Sequence, residues 1–371
     1  MRSTSDVAII GSGSLARWTC HALATGTYGE LCVGVIARDL GKATTLCQVA
    51  QERARTSGTP VFFRAVACAL ARRDEVARIL AGLRPDCVLL CASTQSPWET
   101  QAAPSQWTDL VTRAGFGVTV PLHAELARVV GQAVSPGVAY LNACYPDAVN
   151  PLLNALGIPV LSGVGNVASL AATLQDGLSL ADQQRLRVLA HHAHLSPPAP
   201  GVPEARAWLD AEPIPDVTAR LARHRATSRK ALNRVTGATA ARLMAAVVTG
   251  ADTDANLPGP LGLPGGYPVR LHERKLWLRL PAGVPESDAI AFNQRAALAD
   301  GAVVAHGRVV LSATAESGLR AVAPALAAGY DVADLDAVTA DLHHLRDLLR
   351  GHRASPRDTP VPLQANQPEM S

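Results

Sequence analysis

The segment Val7-Ala8-Ile9-Ile10-Gly11-Ser12-Gly13-Ser14-Leu15-Ala16 constrains this chain more than any other. Four apolar residues read as a buried strand, a G-x-G-x-x-A turn comes next, and Leu15–Ala24 carries helical spacing. Each small residue has a mechanical reason. Gly11 permits the tight turn, Gly13 lets the backbone approach a diphosphate, and Ala16 lets the helix pack on the strand. The helix N-terminus then offers unpaired N–H groups to phosphate oxygens. The pattern predicts a dinucleotide site built from Gly11, Ser12, Gly13, Ser14 and Leu15.

Beyond the turn, strands and helices continue to alternate. Leu31–Ala37, Pro60–Ala65, Cys87–Ala92 and Val138–Leu141 read as strands. Leu40–Ala54, Glu75–Leu83, Pro104–Ala114 and Ala124–Val134 read as helices between them. Continuous runs such as Val88-Leu89-Leu90 suit strands buried on both faces. Regular strand–helix alternation implies right-handed crossovers and an α/β, doubly wound parallel sheet of the Rossmann type. Further on, Ile158–Leu161 reads as a short strand and about Val167–Leu174 as a helix. Leu186–Ala190 is read as a strand running into His191-His192-Ala193-His194, where alternation would put His192 and His194 on one face. Pro215–Thr249 is mostly helical, Val269–Leu280 alternates, and Val332–Leu349 is a last helix. The predicted organisation is a nucleotide-binding domain over 1–160, an α+β substrate domain over 161–315, a helical extension over 316–350 and a disordered, Pro-rich tail over 351–371.

Composition removes several alternatives. The net charge is only +3, and no Lys/Arg block alternates with aromatics, so nucleic acid is not an expected partner. Hydrophobic residues make up 48% but aromatics only 4%, so the core must be aliphatic. No apolar run approaches a membrane span, and Val7–Ile10 leads into a glycine turn rather than a cleavage site. Seven Cys without a CxxC pair fit a reducing, cytoplasmic setting.

The end of the second strand bears on the cofactor. An acidic side chain there normally holds the ribose 2′-hydroxyl of NAD. Here the sequence is Ala37-Arg38-Asp39, with Ala37 at the acidic position and a guanidinium next to it. Loss of a repelling carboxylate plus a nearby Arg favours a 2′-phosphate, so NADP(H) is the preferred cofactor. NAD(H) stays open if Asp39 serves with a shifted register. Ala92, Ser93 and Thr94, at the end of the fourth strand, are small enough to pass a nicotinamide ribose.

Three later segments keep a telling order: Leu141-Asn142-Ala143-Cys144-Tyr145-Pro146, then Val160–Val167 with its glycine turn, then Val188–His194. With Thr236-Gly237-Ala238-Thr239 and the Gly-rich Leu261–Tyr267, they resemble the lactate/malate dehydrogenase-like superfamily, which also holds the NAD-dependent family 4 glycosidases. The resemblance covers most of residues 6–310. It implies a second, α+β domain of the same type, His192 as the catalytic histidine and Asn142 as an orienting donor that also faces the cofactor. It brings Trp107, Ser169, His194 and Thr239 toward the substrate.

The departures are as informative. Where the family has an Asp that orients the histidine and an Arg that binds the substrate carboxylate, this chain has Ser169 and Ala172. The carbonyl-polarising Arg before Asp109-Leu110 is replaced by Trp107 and Thr108, and Gln95–Gln101 carries no Arg. A bidentate clamp cannot be made by Ala172, so a standard lactate or malate dehydrogenase is not expected. The expectation is an NADP(H)- or NAD(H)-dependent oxidoreductase acting on a small carbonyl, alcohol or imine, with His192 as acid/base and Ser169 as a weak orienting partner. Alternatives are an opine-type dehydrogenase reducing a C=N bond, with Arg113, Arg185, Arg187, Arg229 and Lys230 as equal candidates for a carboxylate ligand, and a dinucleotide-binding regulator without turnover. A metal held by Cys144 and His192, with His194 or Asp147 added, is the least favoured reading, so none is expected. Relatives associate through helices, which makes a homodimer or homotetramer the expected assembly.

Overall fold

The computed structural model describes residues 5–97, 99–199 and 201–351. The expected disorder of the tail concerns residues that, from 352 on, lie outside this range. The first half runs β1 (Val7–Ile10), α1 (Ser14–Thr25), β2 (Leu31–Ala37), α2 (Leu40–Thr56), β3 (Val61–Ala67), α3 (Arg73–Leu83), β4 (Cys87–Leu90), α4 (Glu99–Ala102), α5 (Gln106–Ala114), α6 (Val120–Ala133), β5 (Ala139–Asn142), α7 (Pro146–Ala155) and β6 (Ser162–Gly163). The second half runs α8 (Asn166–Gly177), β7 (Leu186–Leu189), β8 (Arg206–Leu209), β9 (Glu212–Pro213), α9 (Val217–Ala226), α10 (Arg229–Thr249), β10 (Thr253–Pro258), β11 (Gly266–His272), β12 (Lys275–Leu278) and α11 (Glu286–Ala299). It closes with β13 (Ala302–Ala305), β14 (Arg308–Leu311), α12 (Ala313–Arg320), β15 (Tyr330–Asp331) and α13 (Leu335–Arg350).

The sheet order β3-β2-β1-β4-β5-β6 is the doubly wound arrangement expected of the alternating pattern. Every pairing in it is parallel, from Val7 opposite Val33 to Asn142 opposite Gly163. Alternation along the central strands divides the core in two. Val7, Ile9, Cys87 and Leu89 face α1, α2 and α10, while Ala8, Ile10, Val88 and Leu90 face α3, α6 and α7. The crevice where the strand order reverses, beyond the carboxyl ends of β1 and β4, is where ligands sit in such sheets.

The second half is built of small antiparallel sheets, β7-β8-β9 and β10-β11-β12, packed with α8 to α10. The last sheet, β13-β14-β15, turns back: Ala302, Val304, Val309, Val332 and Leu335 join the core of the parallel-sheet half. α12 and α13 cover α5 through Trp107, Leu110, Leu319, Leu345 and Leu349.

Two sequence expectations are corrected, and one helix is added. The strand expected at Ile158–Leu161 is instead the two-residue β6, since Ser162 and Gly163 are the residues that meet β5. α7 escaped the periodicity reading because it opens with Pro146 and contains Pro151. Finally, β7 stops at Leu189, and His192–Leu195 coil into a 3-10 turn. Period-two alternation therefore does not apply there, and His192 and His194 point in different directions.

Candidate active site

A cleft of about 780 Å³ opens beyond the carboxyl ends of β1 and β4. Gly11 to Leu15 form one wall, Cys91 to Pro97 a second, and Ala143 to Pro146 with Val164 to Asn166 the floor. Arg229, Leu232, Asn233 and Thr236 reach in from α10, and Phe116, His123, His192 and Arg350 complete the lining.

The glycine turn fits a dinucleotide diphosphate. Gly11 has φ +126°, and an added Cβ would lie 3.1 Å from the Cys91 carbonyl carbon, so this turn can touch β4 only as glycine. Gly13 also lines the cleft, and a Cβ on it would meet nothing within 4 Å. Gly13 is the N-cap of α1, and no side chain occupies the free N–H groups of the first turn. An open cradle facing unpaired helix donors is what a phosphate requires.

Of the remaining sequence candidates for the cofactor, Ala92, Ser93 and Thr94 line the cleft. Ser93 Oγ lies 3.0 Å from His123 Nδ1. Burial pushes His123 down to about 3, so it stays neutral and positions the serine hydroxyl. Ala37 ends β2, Arg38 is exposed, and Asp39 caps α2 by accepting from Lys42 N–H at 3.0 Å. These three lie outside the cleft wall.

His192 sits at the cleft floor, and its surroundings overturn the expectation that it lacks an acidic partner. Its Nδ1 is 2.7 Å from Asp300 Oδ2, which also accepts from Tyr145 Oη at 2.6 Å. Asp300 caps the C-terminus of α11, where the helix dipole disfavours a carboxylate, so its ionised form depends on these two partners. Phe116 stacks on the imidazole with centroids 4.7 Å apart, and Tyr145 meets it edge-on at 5.1 Å. The backbone N–H of His192 donates to Asp147 Oδ1 at 3.0 Å. With Nδ1 committed, Nε2 is the ring atom left for the cleft.

The electrostatics derive from this packing. Burial alone would lower the His192 pKa, but the carboxylates of Asp300 and Asp147 outweigh it and hold it above the usual histidine range. Burial likewise opposes ionisation of Asp300, and the charge of His192 reverses that, keeping Asp300 below the carboxylate norm. Asp147 is fully buried, its Oδ2 has no partner, and burial raises its carboxyl to about 6. His191 is pushed down to about 3 by burial.

Other candidates are drawn elsewhere. Asn142 is fully buried: its amide donates to Asn150 Oδ1 at 2.9 Å and accepts from Cys144 N–H at 2.9 Å, so it builds the β5–α7 corner instead of meeting a ligand. At that corner Gly163 packs so closely on Pro146 that a Cβ would come within 2.1 Å. Trp107 is wholly buried between α5 and α13. Ser169 bonds His224 Nε2 at 2.9 Å, which corrects its expected role beside His192. His194 accepts from His191 N–H at 2.8 Å and stacks on Phe292, away from the cleft. Thr239 bonds back to Val235 O on α10, and Thr236 lines the cleft in its place. Cys144 lines the cleft, but its thiol donates to Ala92 O at 3.0 Å and burial raises it to about 12, opposing a thiolate ligand. Among the described residues no group of three or more His, Cys, Asp or Glu could hold a metal ion.

Sequence reasoning missed Asp300 altogether and gave Asp147 only as an extra metal ligand. No local signal marks Asp300, because its meeting with His192 is set by packing across more than a hundred residues of chain. It also could not place Arg229, which the structure puts on the cleft wall with Nη2 donating to Leu195 O at 3.3 Å and a buried Nη1 without a partner.

Solved structures share this architecture. Malate dehydrogenase from Picrophilus torridus superposes with a TM-score of 0.52 at 14% identity, over 80% of this chain and 97% of that one. The fold is that of the malate and lactate dehydrogenases. A lactate dehydrogenase from a Medee basin deep-sea metagenome library gives 0.51 at 12% identity, over 80% of this chain and 97% of that one. No protein-family model and no curated protein sequence matches the chain. The dehydrogenase-like architecture thus carries a histidine whose acid arrives from Asp300, at the end of α11, while Ser169 stands where the family resemblance sought it.

Proposed function

We propose that this protein is a nicotinamide-dinucleotide-dependent oxidoreductase in which His192 exchanges a proton with the substrate in the cleft. The observation that carries the proposal is the His192–Asp300 pair at 2.7 Å, set in the same cleft as the open glycine cradle. The turn Gly11–Leu15 would hold the diphosphate, and Ala92 to Thr94 would flank the nicotinamide ribose. The cofactor, when bound, supplies or accepts the hydride. Asp300 fixes the tautomer with the proton on Nδ1 and stabilises the imidazolium, so that Nε2 can give a proton to a developing alkoxide or amine and take it back in reverse. Phe116 stacked on the ring and Tyr145 set edge-on to it hold the ring plane.

The cofactor reading is NADP(H) first. Ala37 offers no carboxylate to the ribose, Asp39 is engaged as a helix cap and in an ion pair with Lys42 at 3.4 Å, and Arg38 is exposed beside them. The substrate reading is a carbonyl, alcohol or imine bearing an anionic group, because Arg229 brings a positive charge to the cleft wall. An imine needs less polarisation by an arginine than a ketone does, which keeps the opine-type reaction as the second reading.

The test is a panel of 2-oxo acids, with and without an added amine, scored by NADPH oxidation. Turnover that disappears in His192→Ala supports the assignment. Turnover unchanged in that variant removes it. Oxidation only when the amine is present selects the imine reading.

A further inference from the structure

The loop after β4 forms one wall of the cleft from Ser93 to Pro97, and α6 holds its start, with Ser93 Oγ 3.0 Å from His123 Nδ1 and the Thr94 hydroxyl 2.8 Å from Leu122 O. A second set of fastenings comes from the far end of the chain. α13 carries two stripes. Leu342, Leu345 and Leu349 bury against α5 and α6, and His343, Arg346 and Arg350 line the adjacent face.

Each residue of the second stripe meets the loop or its support. Arg346 Nη1 donates to Thr94 O at 3.0 Å. Its Nη2 lies 2.8 Å from His343 Nδ1, and because a guanidinium can only donate, that nitrogen accepts and Nε2–H is left to donate to Glu125 Oε2 at 2.9 Å. The Thr94 hydroxyl lies 2.7 Å from the same Glu125 oxygen. Arg350 forks onto Glu99 with both contacts at 2.6 Å, and Glu99 also accepts from Gln95 Nε2 at 3.0 Å. Glu99 is only 8% exposed, and Arg350 itself lines the cleft.

We propose that α13 is a working wall of the site and that the Arg350–Glu99 pair is its latch, with both acting as positioning residues that hold the loop after β4 closed over the cleft. The physical reason is the burial of Glu99. A carboxylate taken out of water is costly unless paired, so loss of Arg350 would drive Glu99 toward solvent and carry Gln95 and the Ser93–Pro97 backbone with it. In this arrangement retention of a dinucleotide depends on a helix that follows the strand–helix units of the parallel sheet at the far end of the chain. The inference rests on the dinucleotide reading for its functional consequence, but not for its structural one.

Two measurements on the full chain separate these. Hydrogen exchange read by mass spectrometry reports on the loop directly, and stopped-flow fluorescence with NADPH as probe reports on release. In Arg350→Gln, peptides over 93–97 are expected to exchange about ten-fold faster or more, while peptides of β1, β2 and β4 keep their protection and NADPH leaves about ten-fold faster. Glu99→Gln, which keeps the shape but leaves no buried charge behind, is expected to accelerate loop exchange less than Arg350→Gln, and the double variant is expected to be no worse than Arg350→Gln alone. Unchanged loop exchange in both single variants overturns the latch. So does acceleration spread evenly over the sheet, which marks general loss of stability. If the unaltered protein binds no dinucleotide, the functional reading fails on its own, and the exchange measurement still decides whether α13 holds the loop.

Discussion

Three side chains decide what His192 can do: Asp300 supplies the counter-charge, Tyr145 satisfies the same oxygen, and Phe116 covers the ring. Removing the charge while keeping the shape isolates the electrostatic part. Asp300→Asn is expected to lower kcat/KM for reduction by roughly 10²–10⁴-fold. The sign of the pH effect is fixed. Asp300 holds His192 protonated to higher pH, reduction needs the protonated form, and so the alkaline limb of the profile should move to lower pH in the Asn variant. A limb that stays in place while the rate falls would mean that Asp300 acts only through folding. Asp147 gives a second residue-level prediction. Its carboxyl is raised to about 6 by burial, so from the unfolded value of 3.8 up to about 6 the unfolded chain loses its proton first and stability falls as pH rises. Asp147→Asn removes that cost. Its stability relative to the parent is expected to improve between about pH 4 and pH 6 and to stay level above, by on the order of 1–3 kcal/mol in denaturant titrations at each pH.

Among the elements, the β1–α1 turn is the one whose two glycines do different work. Gly11 is required by the backbone, since φ +126° and the contact with β4 both exclude a side chain. Gly13 is not required by the backbone, since its φ of −81° suits any residue and its Cβ would meet open space, so on the proposed reading its smallness serves the diphosphate. Gly13→Val is therefore expected to leave the melting temperature unchanged and to weaken dinucleotide binding by about ten-fold or more, a loss of about 1.4 kcal/mol or greater. A melting temperature that drops with unaltered binding would place the diphosphate elsewhere. This turn was legible in the sequence because its chemistry is local: strand, glycines and helix succeed one another within ten residues. The histidine segment was legible in composition but not in shape. Val188 to His194 reads as a continued strand, whereas His191 Nδ1 accepts from Ala193 N–H at 3.1 Å and turns the chain into a 3-10 coil.

For the whole molecule, the parallel sheet could be read because each strand and helix announces its own period, and the strand order reflects the handedness of crossovers. What could not be read is everything that depends on the chain returning. Asp300 meets His192, Arg350 meets Glu99, and β13-β14-β15 packs on the parallel-sheet half, all through contacts between distant segments. The strands of that returning unit have at most four residues each, too short to separate from loop by periodicity. Ser169 shows the converse: a site position assigned by spacing from the glycine turn is spent on His224, and the acid it was expected to replace comes from another helix.

The central claim is that the cleft beyond β1 and β4 is a nicotinamide dinucleotide site. Calorimetric titration of the protein with NADPH, NADP⁺, NADH and NAD⁺ at one salt concentration tests it without any knowledge of the substrate. Saturable binding at one site per chain, tighter for the phosphorylated pair and lost in Gly13→Val, is the expected result. Absence of heat with all four, or binding that Gly13→Val leaves intact, would contradict it.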